Sequence, residues 1–438
     1  MSKKRAIQSC VHTGPSWDVF YMGDESDKFH APLALYHYSS SLLDPALKKL
    51  QIPFRKEKLT VDECLSTLRI IGDPIGKGQY GVAYKCEYRE MGYVIKLPRK
   101  AIESKIITIE NGKVHYDEYD QDHDTKNRQI KNNAVSIFNL EFKNAERMLD
   151  PPGYAANSMA YTDFETLTAE LKRMKMHPGY SHLHKIEHYF PEVPCILSEY
   201  CNGSIFSLIK THPFMFIIRQ KSEVPPSHSM LPAAWYDVAY QVGQAMLYLR
   251  DECKIAHRDI KPGNILYKTR AGLCHCFLSD FGACSNPSRQ LAFPLMIGTE
   301  WFNPPYGHFA SNTCTAMQAS IYSYAATLLS ISNFPRVWFQ PTKDEKQDVN
   351  GFYYMKSKHI GDLTCIQNIY SKPNSCKILN KFSSEAPKPE AYLFQLIMKK
   401  LMLPGLIASD IEDSFNCLQA KLIKIERIRQ KHIQQKQQ

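Results

Sequence analysis

No uninterrupted apolar run in this chain approaches the roughly 20 residues that cross a bilayer, and no apolar core follows the basic start Met1-Ser2-Lys3-Lys4-Arg5. Neither a membrane span nor a secretory leader is expected, so the cytosol or nucleus is the expected compartment. Metal-binding spacing is also missing. The 13 cysteines are an odd set scattered along the chain, and the tightest group, Cys274-His275-Cys276, has no second pair. Free thiols are expected. Internal repeats are absent, and no stretch mixes aromatic and basic residues densely enough to make nucleic acid a primary partner. Lys and Arg number 54 against 44 Asp and Glu, a surplus of 10 that favours polyanions without selecting one.

What is present is a chain of 438 residues, 44% hydrophobic, long enough for one large or two ordinary domains. Residues 1–67 show no sustained helix or strand period and read as a basic, partly ordered extension. From Leu68 the runs Leu68–Ile71, Val82–Cys86 and Gly92–Lys96 predict a small antiparallel sheet whose first two strands flank a glycine-rich turn. A polar insertion over about 97–161, dense in charge at Tyr116–Asp124, predicts a mobile loop. Helices are expected at Phe164–Met176 and Tyr236–Leu249. The end, 421–438, reads as a basic surface helix fraying into a tail.

Four motifs carry chemistry. Gly76-Lys77-Gly78-Gln79-Tyr80-Gly81-Val82 fits a loop whose missing side chains let backbone N–H groups close over phosphates. A dinucleotide loop would open a helix, whereas Val82-Ala83-Tyr84 continues as strand. Lys96, fifteen residues after Gly81, ends Tyr93-Val94-Ile95-Lys96 and sets an ammonium on a rigid strand. His257-Arg258-Asp259 with Lys261 and Asn264 supplies a carboxylate to take or orient a hydroxyl proton, a cation two residues on, and an amide oxygen for a metal. Asp280-Phe281-Gly282 follows a short apolar strand and adds a second metal ligand, Asp280.

In this order and spacing the motifs resemble the protein kinases, and Lys261 resembles their serine/threonine class. The resemblance implies an α+β, bilobal fold over 68–420: a small β-rich N-lobe at 68–198, a hinge at 199–203, and a larger, mainly helical C-lobe at 204–420. ATP would bind between the lobes with Mg2+, and the substrates would be protein serine and threonine hydroxyls. Catalytic roles fall to Asp259, Lys261 and Lys96, and metal binding to Asn264 and Asp280. By the same match Cys195–Gly203 is the hinge strand, where backbone groups of Glu199 and Cys201 would bond adenine and Ser198 would guard the pocket behind it. Glu170 leads as carboxylate partner of Lys96, with Glu165 and Glu146 as alternatives.

The pattern also departs from the kinase norm. Pro305 stands where a glutamate usually ends the activation segment, and no arginine lies near Pro404–Asp410 to pair with one. Ser320 replaces an aspartate that normally anchors the catalytic loop. With the long insertion, these departures resemble the conserved herpesvirus kinases, most closely the gammaherpesvirus branch. That resemblance implies a kinase of the host nucleus and virion tegument acting on viral and host nuclear proteins.

Overall fold

Alternation builds the first sheet. The computed structural model of the protein describes residues 20–22, 31–33, 65–78, 81–88, 91–116, most of 136–144, 177–190, 195–212, 231–270, 273–292, 298–299, 302–304, 313–332, parts of 390–401 and 408–437, with a few single positions between. Strand β1 (Arg69–Lys77), β2 (Gly81–Tyr88) and β3 (Met91–Pro98) form an antiparallel meander. Along β2, Val82, Tyr84, Cys86 and Tyr88 are buried while Ala83, Lys85 and Glu87 are half exposed, the period of two that a one-sided sheet requires. The same period in β3 buries Ile95 and Leu97 and turns Lys96 to the opposite face.

The residues that follow Leu97 are not all loop. Helix α1 (Arg99–Glu103) leads into a hairpin of β4 (Ile107–Glu110) and β5 (Lys113–Tyr116), and residues 136–144 are helical at every described position. The expected loop is thus partly replaced by regular structure. Ile107 and Val114 are buried in the sheet's own core beside Ile70 and Leu97, which charge density alone could not reveal. The hairpin turn also reaches back to β1, where the Ile70 N–H donates to the Gly112 carbonyl at 2.7 Å. Of the expected acidic run only Tyr116 is described, and the helix expected at 164–176 lies outside the described residues.

Two further strands complete the sheet, β6 (Ile186–Phe190) and β7 (Cys195–Glu199), in the order β1-β2-β3-β7-β6. After a short strand β8 (Gly203–Ser204) and helix α2 (Ile205–Thr211), α3 (Ala233–Asp251) crosses the larger core buried on nearly every side. Strands β9 (Ile265–Arg270) and β10 (Leu273–Leu278) pair antiparallel. A small ribbon of β11 (Gln290–Ala292) and β12 (Thr313–Thr315) precedes α4 (Ala316–Ile331). Thr315 starts α4 with a reciprocal capping box to Gln318.

The chain ends in α5 (Ala408–Gln437), which runs unbroken across the boundary expected at 420. Ile411, Phe415, Leu418, Leu422 and Ile425 recur at steps of four and three and are all buried in the helical core. Leu422 and Ile425 therefore belong to the packed structure and not to a fraying tail. Hydrophobic residues fall into two clusters, one beneath the five-stranded sheet and a larger one among α3, α4 and α5. Phe20–Met22 and Ala31–Leu33 pair as a short antiparallel ribbon.

Candidate active site

The β9–β10 hairpin brings two metal-ligand candidates together. Ile265 pairs with Leu278, so Asn264 immediately before β9 lies beside Ser279 immediately after β10. Ser279 donates from both its backbone N–H and its hydroxyl to the Asn264 carbonyl at 2.9 Å, joining the segment that carries Asp280 to the one that carries Asp259. His257 adds a second tie: its Nε2 donates to the Ser279 carbonyl at 3.0 Å while its Nδ1 accepts from the Asp259 N–H at 3.3 Å. These bonds fix the tautomer, and burial, the largest influence, lowers the affinity of His257 for a second proton.

Asp259 is saturated with donors. Its Oδ2 accepts from Lys261 Nζ at 2.8 Å and Asn264 Nδ2 at 2.9 Å, and its Oδ1 accepts from the Thr299 N–H at 2.8 Å and hydroxyl at 2.7 Å. Lys261 Nζ donates onward to the Thr299 hydroxyl oxygen at 2.6 Å. Because both bonds of Asn264 Nδ2 go to Asp259, one to its carboxylate and one to its carbonyl, the amide oxygen of Asn264 is the end turned away from it. Thr299 was not anticipated from sequence. It follows Gly298, whose φ of 122° suits glycine, and whose added Cβ would lie 2.5 Å from the Arg258 carbonyl.

Across from this loop, Lys96 Nζ lies 2.7 Å from Glu141 Oε2 and 3.4 Å from Asp280 Oδ1. Burial opposes the charge on Lys96, but the two carboxylates outweigh it and hold the ammonium above its ordinary range. Lys96, more than any other group, holds the Asp280 carboxyl below the usual carboxylate range, while burial pushes Glu141 up against the pull of Lys96. The partner of Lys96 is thus Glu141, in place of the expected Glu170. Glu170, Glu165 and Glu146 lie outside the described residues, as do Gln79 and Tyr80 of the glycine loop. Glu141 is 45 positions from Lys96, so nothing in local spacing marks it.

The rest of the loop is in place around Lys96. Gly76 and Lys77 end β1, the Gly78 N–H donates to the Gly81 carbonyl at 2.8 Å, and Val82 opens the buried face of β2. A Cβ on Gly81 would lie 3.0 Å from Lys96 side-chain carbons and 3.3 Å from the Phe138 ring, so the lysine and the helical residues close in where that side chain is missing.

At the strand expected as hinge, Ser198 is buried and donates to the Val94 carbonyl at 3.4 Å. Glu199 is more engaged than anticipated. Its carboxylate pairs with Lys268, its N–H donates to the Lys185 carbonyl at 3.3 Å, and its own carbonyl accepts from His184 Nε2 at 2.9 Å, leaving that oxygen one lone pair for a ligand. Cys201 is buried, and burial pushes its thiol up to about 12.

Ser320 takes the anchoring role at reduced strength. Its hydroxyl accepts the Arg258 N–H at 2.9 Å and donates to the Ala316 carbonyl at 2.9 Å. Arg258 itself has a φ of 69°, a left-handed conformation that this bond helps hold. Pro305 and Pro404–Asp410 lie outside the described residues, apart from the three residues 408–410 that open α5.

The pattern of the protein kinase domain matches residues 157–401, more than half of the chain. The chain belongs to the protein kinase domain family. That membership brings the bilobal kinase fold. A probable LRR receptor-like serine/threonine-protein kinase of Arabidopsis thaliana is 30% identical over 129 residues, 28% of this kinase and 22% of the relative. A MAP kinase-activated protein kinase of Caenorhabditis elegans is 36% identical over 69 residues, 16% of this kinase and 13% of the relative. The matched segments thus cover less than a quarter of either relative's length. Gly76, Lys96 and Glu141 precede the matched residues, and their placement rests on the geometry above.

Mg2+ is implied by family membership, and the donor set fits it. Asp280 offers an ionised, partly exposed carboxylate and Asn264 an amide oxygen, hard ligands of the number that magnesium takes from protein beside phosphate.

Proposed function

We propose that this kinase transfers the γ-phosphate of ATP to serine or threonine hydroxyls of proteins. The observation that carries this reading is the convergence of Lys261, Asn264 and Thr299 on the Asp259 carboxylate, with the Lys96–Glu141 pair opposite. Asp259 would orient the incoming hydroxyl and receive its proton, that hydroxyl displacing one of the four donors that fill the carboxylate in this structure. Lys261, 2.8 Å from that carboxylate, would stabilise charge as it spreads over the transferring group. Lys96, held by Glu141, would fix the α- and β-phosphates, and the Gly76–Gly81 loop would cover them. Mg2+, held by Asp280 and Asn264, supplies neutralisation of phosphate charge when bound.

The test uses purified full-length protein, labelled ATP, magnesium and a peptide library carrying serine, threonine or tyrosine. Label is expected on serine and threonine and is lost in Lys96→Met and Asp259→Asn. A clean wild-type preparation that transfers nothing would leave a kinase-shaped binding protein instead.

The finer reading is a herpesviral tegument kinase of the gammaherpesvirus branch, working in the host nucleus on viral proteins and on host cell-cycle, lamina and DNA-damage proteins. Its support is the set of departures from the kinase norm, Ser320, Pro305 and the long interval between Lys96 and Glu141. Tagged protein in infected cells should collect in the nucleus and enter purified virions; exclusion from both rejects this reading.

A further inference from the structure

Asp280 has a left-handed backbone, with φ 66° and ψ 73°. For a residue with a Cβ that conformation is unfavourable and persists only where its surroundings over-determine it. Here both carbonyls flanking Asp280 are tethered. On one side His257 Nε2 donates to Ser279. On the other, Asn144 Nδ2 donates to the Phe281 carbonyl at 2.8 Å, a buried bond spanning 137 positions of sequence. The Phe281 ring is itself buried, edge-on to the His257 ring at 5.6 Å.

Asn144 shares its helical segment with two residues already at the site. Phe138, Glu141 and Asn144 are spaced three apart and so lie along one helix face. Phe138 sets its ring 5.6 Å from Lys96 Nζ, Glu141 pairs with Lys96, and Asn144 holds Phe281. Asn144 is 3% exposed, and a buried amide is kept at such a position only when its hydrogen bonds are made. One helical segment therefore contacts both Lys96 and the backbone beside Asp280.

We propose that Asn144 is a positioning residue for magnesium binding: by holding the Phe281 carbonyl it keeps Asp280 in its left-handed, metal-ready backbone, and so ties metal affinity to the seating of residues 136–144. This rests on the kinase reading above. Asn144 touches neither nucleotide nor metal and acts through Asp280.

The experiment compares full-length wild type, Asn144→Leu and, as a control on the same segment, Leu140→Ala at an exposed position. Binding of a fluorescent ATP analogue is measured with and without magnesium, and amide exchange over residues 279–285 is followed in the metal-free protein. Asn144→Leu is expected to lose at least fivefold of the affinity that magnesium adds, to keep magnesium-free nucleotide affinity within twofold, and to exchange faster over 279–285. Leu140→Ala should match wild type in all three. A magnesium gain and exchange pattern in Asn144→Leu equal to wild type would overturn the proposal, even if its melting temperature falls. Absence of any magnesium gain in wild type overturns the proposal and the kinase reading together. A wild-type gain without phosphate transfer to any peptide rejects the kinase activity alone.

Discussion

Thr299 binds one carboxylate oxygen of Asp259 twice, through its N–H at 2.8 Å and its hydroxyl at 2.7 Å, while its hydroxyl oxygen accepts from Lys261. The segment carrying Thr299 thereby reports its position directly to the proposed base. If that segment moves, Asp259 and Lys261 lose a shared partner at once.

Thr299→Val keeps the side-chain shape and the N–H bond but deletes the hydroxyl. Hydrogen bonds to charged groups are worth about 1.5–3 kcal/mol. We expect kcat to fall roughly ten- to a hundredfold, since each 1.4 kcal/mol or so is a factor of ten. Thr299→Ser should stay near wild type. Steady-state kinetics on a serine peptide decide the matter, and equal rates in both variants would remove Thr299 from the site.

Glu141→Gln should depress kcat/KM for ATP at least tenfold while costing less stability than the about 3–5 kcal/mol typical of halving a buried pair, because Lys96 keeps Asp280 within 3.4 Å. Thermal melts and ATP kinetics on the same preparation separate the two effects. An equal kinetic loss in Glu170→Gln alone would return the role to the residue first expected.

That contrast marks how far the sequence could be read. Asp259, Lys261 and Asn264 lie within six positions, so their mutual geometry is local and their spacing legible. The sheet was legible for a similar reason, since alternation in Val82–Cys86 and a lysine ending Gly92–Lys96 are properties of single strands. Glu141, Asn144 and Thr299 reach the site through folding over tens of residues, and a glutamate among 44 acidic residues bears no mark of its partner. The burial of Leu422 and Ile425 was hidden by the basic residues around them, which line the outer face of α5.

Acid should destabilise the protein before its carboxylates titrate. Burial pushes His182 down to about 3, and its ring bonds the Cys276 carbonyl at 3.3 Å. The unfolded chain protonates the same histidine near about 6.5. Between those values the unfolded state holds more protons, so stability falls as pH falls, by about 1.4 kcal/mol per pH unit for one such group. His257 is lowered in the same direction. Melting temperature should therefore drop from pH 6.5 downward, and less steeply in His182→Asn; parallel curves would refute the assignment.

Ser320→Ala strips the Arg258 N–H of its acceptor inside the core, where an unsatisfied donor costs about 1–3 kcal/mol. A fall in melting temperature together with a lower kcat is expected, since the residue that follows Arg258 is Asp259 itself. Unchanged kcat with lowered stability would mean that the catalytic loop is held by its other bonds, such as that from Thr327 to the Ile260 carbonyl.

The bond from Ile70 to Gly112 bears on how this chain behaves in a crowded solution. Strand β1 is one of the two outer strands of its sheet, and an uncovered outer strand offers a row of donors and acceptors on which a neighbouring chain can add itself. By laying the Asn111–Gly112 turn against Ile70, the β4–β5 hairpin covers part of that outer strand and leaves less of it open to a neighbouring chain.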